Sequence, residues 1–284
     1  MITKSDLLKS KHLVLQDIEN KQLSIQLSLD GFSFCITNTG LNKIILFRKY
    51  DFLDRNPSTT TLLSNIKAIF NEETLLHLNY SKVLVIHVNN LSAFIPKPLF
   101  DEKNIQNYIK FNNKIFDSDY FTYDDIKNQD MVSVFAPYIN VNNFLIDQYG
   151  GFEYKHFSSV LVENLLQKHT VSNANALFIH VQKKHFEVIV TNHKKLILYN
   201  TFSYKTKEDF MYYILFVIEQ LQLDVETIRL QLIGLIKEGD ELYNIAYKYI
   251  RNISFLKNRT SKNTILEIDD DIIRSYFTLF NASS

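Results

Sequence analysis

Two stretches of this chain lie 154 residues apart and read as the same pattern. The first, LSIQLSLDGFSFCITN, spans residues 23–38. Leu23, Ile25, Leu27 and Leu29 alternate with Ser24, Gln26, Ser28 and Asp30, the period-2 signature of a strand with one buried face. Asp30-Gly31 is a favoured two-residue hairpin turn, read as type I′, and Phe32, Phe34 and Ile36 form the return strand. The second stretch begins ALFIHVQKKHFEVIVTN at residue 176. At the constant offset, Leu23 falls on Leu177, Ile25 on Ile179, Leu27 on Val181, Phe32 on Phe186, Ile36 on Val190 and Thr37-Asn38 on Thr191-Asn192. A two-residue difference in the next turn brings IILF (44–47) onto LILY (196–199).

Later elements keep the same order. Leu62, Ile66, Ile69 and Phe70 have helical spacing, as do Phe210, Ile214, Val217 and Leu221. Strands follow at 82–88 and 227–235. A second helix follows in each half, marked by Ile105, Tyr108 and Ile109 in one and by Leu242, Ile245, Ala246 and Tyr249 in the other. A helix joining parallel strands is a βαβ crossover, so each half is expected to be a mixed sheet flanked by helices, in an α/β fold.

This duplicated βββαβα unit resembles the actin-like ATPase superfamily, whose fold is two ribonuclease H-like mixed-sheet halves around a cleft. Within it the chain is similar to the PilM family of type IV pilus assembly proteins. There a small subdomain follows the fourth strand, begins near a proline, and runs through an amphipathic helix and an acidic stretch. A strand, a helix, a Gly-containing turn, a strand and a crossing helix come next. Pro96, Pro98 and Gly150-Gly151 fit that pattern. The opening LSxxLSxDGFSF also resembles an uncharacterised Bacteroidetes family described as actin-like ATPases. The resemblance covers roughly residues 12–280. It implies a first half over 12–168 with a small subdomain at about 90–130, a second half over 174–267, and a C-terminal helix over 268–284.

The resemblance also implies a nucleotide site, with a phosphate loop at each first hairpin tip and a glycine pair under the adenosine. The candidate residues are Ser28, Asp30, Gly31 and Ser33 at the first tip, Lys183 and His185 at the second, and Gly234 beside the adenosine. The residues depart from that pattern. Phe32 is bulky, the tip Gln182-Lys183-Lys184-His185 has neither carboxylate nor glycine, and Gly234 and Gly239 are separated. Only 6 of 284 residues are glycine, about 2% against a usual ~7%, whereas phosphate loops need glycine for close backbone approach. The expectation is a non-catalytic protein with no required cofactor; the alternative is an Mg-ATP-dependent ATPase using Asp30 and Lys183. PilM-like proteins use the actin-like body as a platform for a partner peptide. The matching groove here is Phe94, Pro96, Pro98 and Phe100, whose other reading is packing of the insert. Self-association, as in actin filaments, is a further reading.

Composition removes other classes. Thirty-one basic residues balance 31 acidic ones, which argues against a dedicated nucleic-acid binder. A single cysteine, Cys35, gives no disulfide or CxxC metal pair and reads as an apolar filler. No run reaches the roughly 20 apolar residues of a membrane span, and no signal-peptide core opens the chain, so a cytoplasmic location is the default. His87 and His180 read as packed or solvated strand residues. Asp269-Asp270-Asp271 reads as the N-terminal charge cluster of a terminal amphipathic helix, with no metal site expected. The 38 Tyr and Phe residues are read mostly as core.

Overall fold

The computed structural model describes residues 2–9, 20–41, 43–54, 56–110, 115, 119–168, 175–257 and 269–282. The expected boundaries at residues 12, 174 and 267 lie outside them. Two compact units emerge: one within Met1–Val160 and Thr278–Ser284, the other within Leu161–Arg259 and Asp269–Phe277.

The first unit opens with β1 (Ile2–Lys9), followed by β2 (Lys21–Ser28), β3 (Gly31–Asn38) and β4 (Lys43–Phe52). Helix α1 (Thr59–Glu72) then leads to β5 (Lys82–His87). An insert follows: β6 (Ser92–Pro96), α2 (Ile105–Lys110), β7 (Thr122–Asp125) and β8 (Met131–Phe135). Then come α3 (Ile139–Tyr149) and β9 (Glu153–His156), and α4 (Phe157–Lys168) carries the chain past Val160 into the second unit. The main sheet has the order β1-β4-β3-β2-β5-β9, and the insert is a separate antiparallel sheet, β6-β8-β7.

The second unit holds β10 (Ala176–Val181), β11 (His185–Asn192), β12 (Lys195–Ser203), α5 (Lys207–Gln220), β13 (Arg229–Gly234), α6 (Glu241–Tyr249) and β14 (Asn252–Phe255). The chain ends with α7 (Asp270–Ser275) and α8 (Phe277–Phe280). The sheet order is β12-β11-β10-β13-β14. The central strands are antiparallel to their hairpin partners and parallel across each crossover: β2 with β5, β10 with β13.

Local chemistry explains these elements. Ser58 and Thr206 each cap a fourteen-residue helix through a reciprocal capping box, with Thr61 and Asp209 respectively. The inward residues Leu23, Ile25, Leu27, Phe32, Phe34 and Ile36 are buried against Leu62, Ile66, Ile69 and Phe70 of α1. Leu177, Ile179, Val181, Phe186, Val188 and Val190 are buried with Phe210, Ile214 and Val217 of α5. A bulge breaks the β3–β4 register between Ile36 and Thr37, and another breaks β11–β12 between Val190 and Thr191. These positions stand 154 residues apart. Ile36 pairs with Leu46 and Val190 with Leu198, and the last pairs are Asn38 with Lys43 and Asn192 with Lys195, so the two-residue difference between IILF and LILY lies in the turn and not in the bulge.

Several expectations need correction. Ser28 pairs with Gly31, so the first hairpin turns through Leu29-Asp30 and not Asp30-Gly31. Neither turn residue has positive φ, so the turn is not type I′. The turn with positive φ at both positions is His193-Lys194, between β11 and β12. Helix α2 packs on the insert sheet, with Ile109 buried against Val132 and Val134. The helix that leads to the next parallel strand of the first sheet is therefore α3, which carries the chain from the insert to β9, parallel to β5. The terminal helix is interrupted at Tyr276. Not all aromatic residues are core: Tyr120, Tyr212, Phe216, Tyr247 and Tyr249 are exposed.

Candidate functional site

At the first hairpin tip, the Ser28 hydroxyl donates to Asp30 Oδ1 at 2.5 Å and lies 3.3 Å from the Gly31 carbonyl. The Asp30 carbonyl accepts from the Phe52 N–H at 3.0 Å. These contacts tie Ser28, Asp30 and Gly31 into one small turn. Gly31 sits beside β4, where a Cβ would lie 2.9 Å from the Tyr50 carbonyl. Ser33 is not at the tip. It is buried inside β3, opposite Gln26. Phe32 is a core residue, with its ring 6.1 Å from that of Tyr50. The Tyr138 phenol is pushed up by burial and secondarily by the Asp30 carboxylate, and its hydroxyl donates to the Val88 carbonyl at 2.9 Å.

The second tip is built by Gln182, whose N–H donates to the His185 carbonyl at 2.9 Å, leaving Lys183 and Lys184 exposed between them. The Lys184 carbonyl accepts from the Tyr204 N–H, as Asp30 accepts from Phe52. Within its unit, each tip thus has the same backbone frame, with Asp30 on one and Lys184 on the other. His185 is turned back toward Glu187, with Nε2 3.3 Å from Oε1. His180 Nδ1 lies 2.8 Å from the other carboxylate oxygen. Burial pushes the Glu187 carboxyl up, but the hydrogen bonds from His180 and His185 outweigh it, and the net shift is downward. Sequence reading missed Glu187. Its signal was His185-x-Glu187 on one strand face, cross-strand from His180.

Gly234 closes β13 opposite Val181 with φ +87°. A Cβ there would lie 2.2 Å from the Val181 carbonyl oxygen. The chain then turns so that the Leu235 N–H donates to that same oxygen at 2.8 Å. Gly239, φ +89°, stands in open space before α6.

In the insert, Ala93 and Ile95 of β6 face the cluster of Ile109, Val132 and Val134, while Phe94 stands opposite Ser133. Phe100 is part of the insert's packing: its ring lies 4.7 Å from Tyr123 and 6.0 Å from Tyr108. The Tyr108 hydroxyl fixes the turn by donating to the Leu99 carbonyl at 2.7 Å. Pro96 and Pro98 are exposed, and Leu99 between the turn and Phe100 is 70% exposed. Strand β6 pairs with β8 alone, so among the described residues its outer edge faces no strand.

The remaining candidates are structural. His87 is fully buried; its Nδ1 accepts from the Tyr138 N–H at 3.2 Å and its Nε2 lies 2.9 Å from Asn142 Oδ1. Cys35 is buried, with Sγ 3.8 Å from the Leu279 carbonyl. Asp269 caps α7 by accepting from the Asp271 N–H, and Asp271 pairs with Arg274. Among the described residues, no three His, Cys, Asp or Glu side chains are arranged to hold a metal ion, and no helix is long and apolar enough to cross a membrane.

Comparison with known proteins places these features in context. Residues 10–253 match the model of a family described as a protein of unknown function, DUF3822. A Bacteroides thetaiotaomicron protein with an actin-like ATPase fold and unknown function is 26% identical, with a TM-score of 0.78 over 86% of this chain and 94% of that one. The PilM–PilN type IV pilus biogenesis complex contains a chain 8% identical, with a TM-score of 0.57 over 91% of this chain and 96% of that one. No curated protein matches the sequence. The mixed α/β architecture is thus that of actin-like ATPase folds.

Proposed function

We propose that this chain, which belongs to the DUF3822 family, works as a non-catalytic, cytosolic, protein-binding platform on an actin-like body. We read its two sheets as copies of one duplicated unit, the first interrupted by the small insert. The observation that carries the binding reading is the insert's edge: β6 has an open side and runs into the exposed Pro96-Lys97-Pro98-Leu99 turn. An open edge strand offers main-chain hydrogen bonds to an extended peptide, and an exposed apolar turn beside it supplies a side-chain contact. PilM, of similar fold, has been solved in complex with PilN, which supports a protein partner. Of the aromatic groove residues, Phe94 belongs to this edge strand and Phe100 packs against Tyr108 and Tyr123 within the insert.

The nucleotide residues favour the non-catalytic reading. At both glycines that the superfamily pattern would place against a nucleotide, the side where a Cβ would stand is occupied by the chain's own backbone: Tyr50 at Gly31 and Val181 at Gly234. The Asp30 carboxylate is engaged by Ser28, and the second tip has no carboxylate. This residue set does not fit Mg-ATP.

The binding reading is tested by affinity capture with the whole chain and with Leu99→Glu. The expected result is a partner retained by the natural chain and lost by the variant, with unchanged thermal unfolding. The same capture by both chains, or none by either, removes the proposed edge.

A further inference from the structure

Two buried histidines join the insert to the first sheet. His87 closes β5 and His156 closes β9, and the parallel register of these strands sets one directly beside the other. Both are at most 1% exposed. The insert leaves the sheet just after His87, and α3 begins after Tyr138, whose N–H donates to His87 Nδ1 at 3.2 Å. This imidazole therefore clips the two ends of the insert together. Asn89 spans the same neck, donating to the Ala136 carbonyl and accepting from the Leu91 N–H, each at 2.8 Å. His156 and the first turn of α4 hold all three strands of the insert. The His156 N–H donates to Asp124 Oδ2 of β7 at 2.9 Å. The Ser158 hydroxyl lies 3.3 Å from that of Ser133 in β8 and 3.4 Å from that of Ser92 in β6. It also lies 2.7 Å from His156 Nδ1, which accepts from the Ser158 N–H at 3.2 Å.

In both rings a backbone N–H fixes Nδ1 as an acceptor, so the ring proton sits on Nε2, where His87 donates to Asn142 Oδ1 at 2.9 Å. A second proton has to enter at Nδ1, and it breaks the bond to Tyr138 or to Ser158. It also sets a charge beside the neighbouring ring, on strands about 4.8 Å apart, where two like charges repel. The groups facing the pair offset that charge poorly. Tyr138 and Tyr154, with rings 5.7 and 5.8 Å from His87, have phenols pushed up by burial and stay neutral. Asp124 stands beside His156, but its Oδ2 is engaged by the backbone N–H. Asp30 acts on the Tyr138 phenol, and the first turn of α4 carries no acidic residue. We infer that the His87–His156 pair is an acid-sensitive latch, whose protonation frees the insert from the first sheet ahead of the rest of the fold. The latch lies within the first unit and stands whether or not the edge of β6 binds a partner. Burial, and secondarily His156, hold the His87 imidazole well below its ordinary range. The closed latch therefore excludes the proton, and the open one takes it up as pH falls below about 6.5.

Amide exchange of the full chain at pH 7.5 and 5.5, corrected for intrinsic rates, tests this at the N–H groups of Tyr138, His156 and Ser158. The amides of Leu23, Ile25 and Leu27 in β2 report the sheet itself. His87 alone is expected to raise the opening of the three latch amides about tenfold between the two pH values. At pH 5.5 they are expected to open at least about tenfold more often than the β2 amides, as a local opening does. The double variant His87→Gln with His156→Asn takes up no proton at either position and is expected to abolish the rise. Latch amides that open in step with β2 at both pH values report global unfolding and overturn the proposal. Opening that ignores pH, or a rise that survives in the double variant, also overturns it. If the double variant does not fold, the comparison of latch and β2 amides in the natural chain decides.

Discussion

Gly234→Ala is expected to destabilise the protein by at least about 3 kcal/mol, while Gly239→Ala costs only about 1–2 kcal/mol. The two glycines have nearly the same backbone strain, φ +87° and +89°. A side chain at either position pays for a left-handed conformation. They differ in space. A Cβ at 239 meets nothing within 4 Å, whereas one at 234 would stand 2.2 Å from the Val181 carbonyl oxygen and 2.8 Å from its nitrogen. Those atoms belong to the central strand β10 and cannot swing aside as a flexible side chain would. Relief requires β13 to move away from β10, breaking the parallel ladder that joins Val181 to Gly234. Urea unfolding of both variants measures the difference. Equal losses would show that β13 relaxes freely and that Gly234 is held there for some other reason.

The second large effect is acid destabilisation through His87. Its imidazole is pulled down to about pH 3, by burial first and by the nearby His156 second, with the Asn142 hydrogen bond opposing. In the unfolded chain the same group titrates near 6.5. The folded pKa lies below the unfolded one, so only the unfolded state takes up a proton as pH falls below 6.5. Stability is therefore full above that value and drops by about 1.4 kcal/mol per pH unit below it, reaching about 4–5 kcal/mol near pH 3. Between pH 7.5 and 5 the expected loss from this group is about 2 kcal/mol. That window lies above the range in which Glu187 acts. Its lowered carboxyl adds stability above the unfolded pKa of about 4.5 and loses it only as pH falls further. His87→Gln, which keeps an acceptor for Tyr138 and a donor for Asn142, should flatten the slope between pH 7.5 and 5. A flat profile in the natural chain, or the same slope in the variant, contradicts the assignment.

Much of this fold was legible because its information is local. The alternation from Leu23 to Ile36, and from Leu177 to Val190, specified both central hairpins, and the helical spacing of Leu62, Ile66 and Ile69 specified α1. The misread turn shows where local information ends. A hairpin turning at Asp30-Gly31 and one turning at Leu29-Asp30 differ by two residues of register, and both keep Leu27 and Phe32 on the buried face. The deciding contact is long-range: position 31 lies against Tyr50 of β4, where only glycine fits. The mistaken pairing of α2 with α6 has a similar cause. Helical spacing reports which face is apolar, not whether that face packs on the main sheet or on a three-stranded insert. β1 was missed because ITKSDLLK shows no clean alternation. At the candidate site, the absence of glycine and carboxylate from the second tip was readable from four residues. The Glu187 arrangement was not, because it needs the register of β10 on β11 to bring His180 opposite the carboxylate.

On the function proposed above, this actin-like body carries out no nucleotide chemistry. Titration of the whole chain with Mg-ATP by calorimetry decides this. No saturable heat is expected, because Asp30 is engaged by Ser28 and the side of Gly31 and of Gly234 where a Cβ would stand is occupied by the chain's own backbone. Micromolar binding that disappears in Asp30→Ala would contradict it.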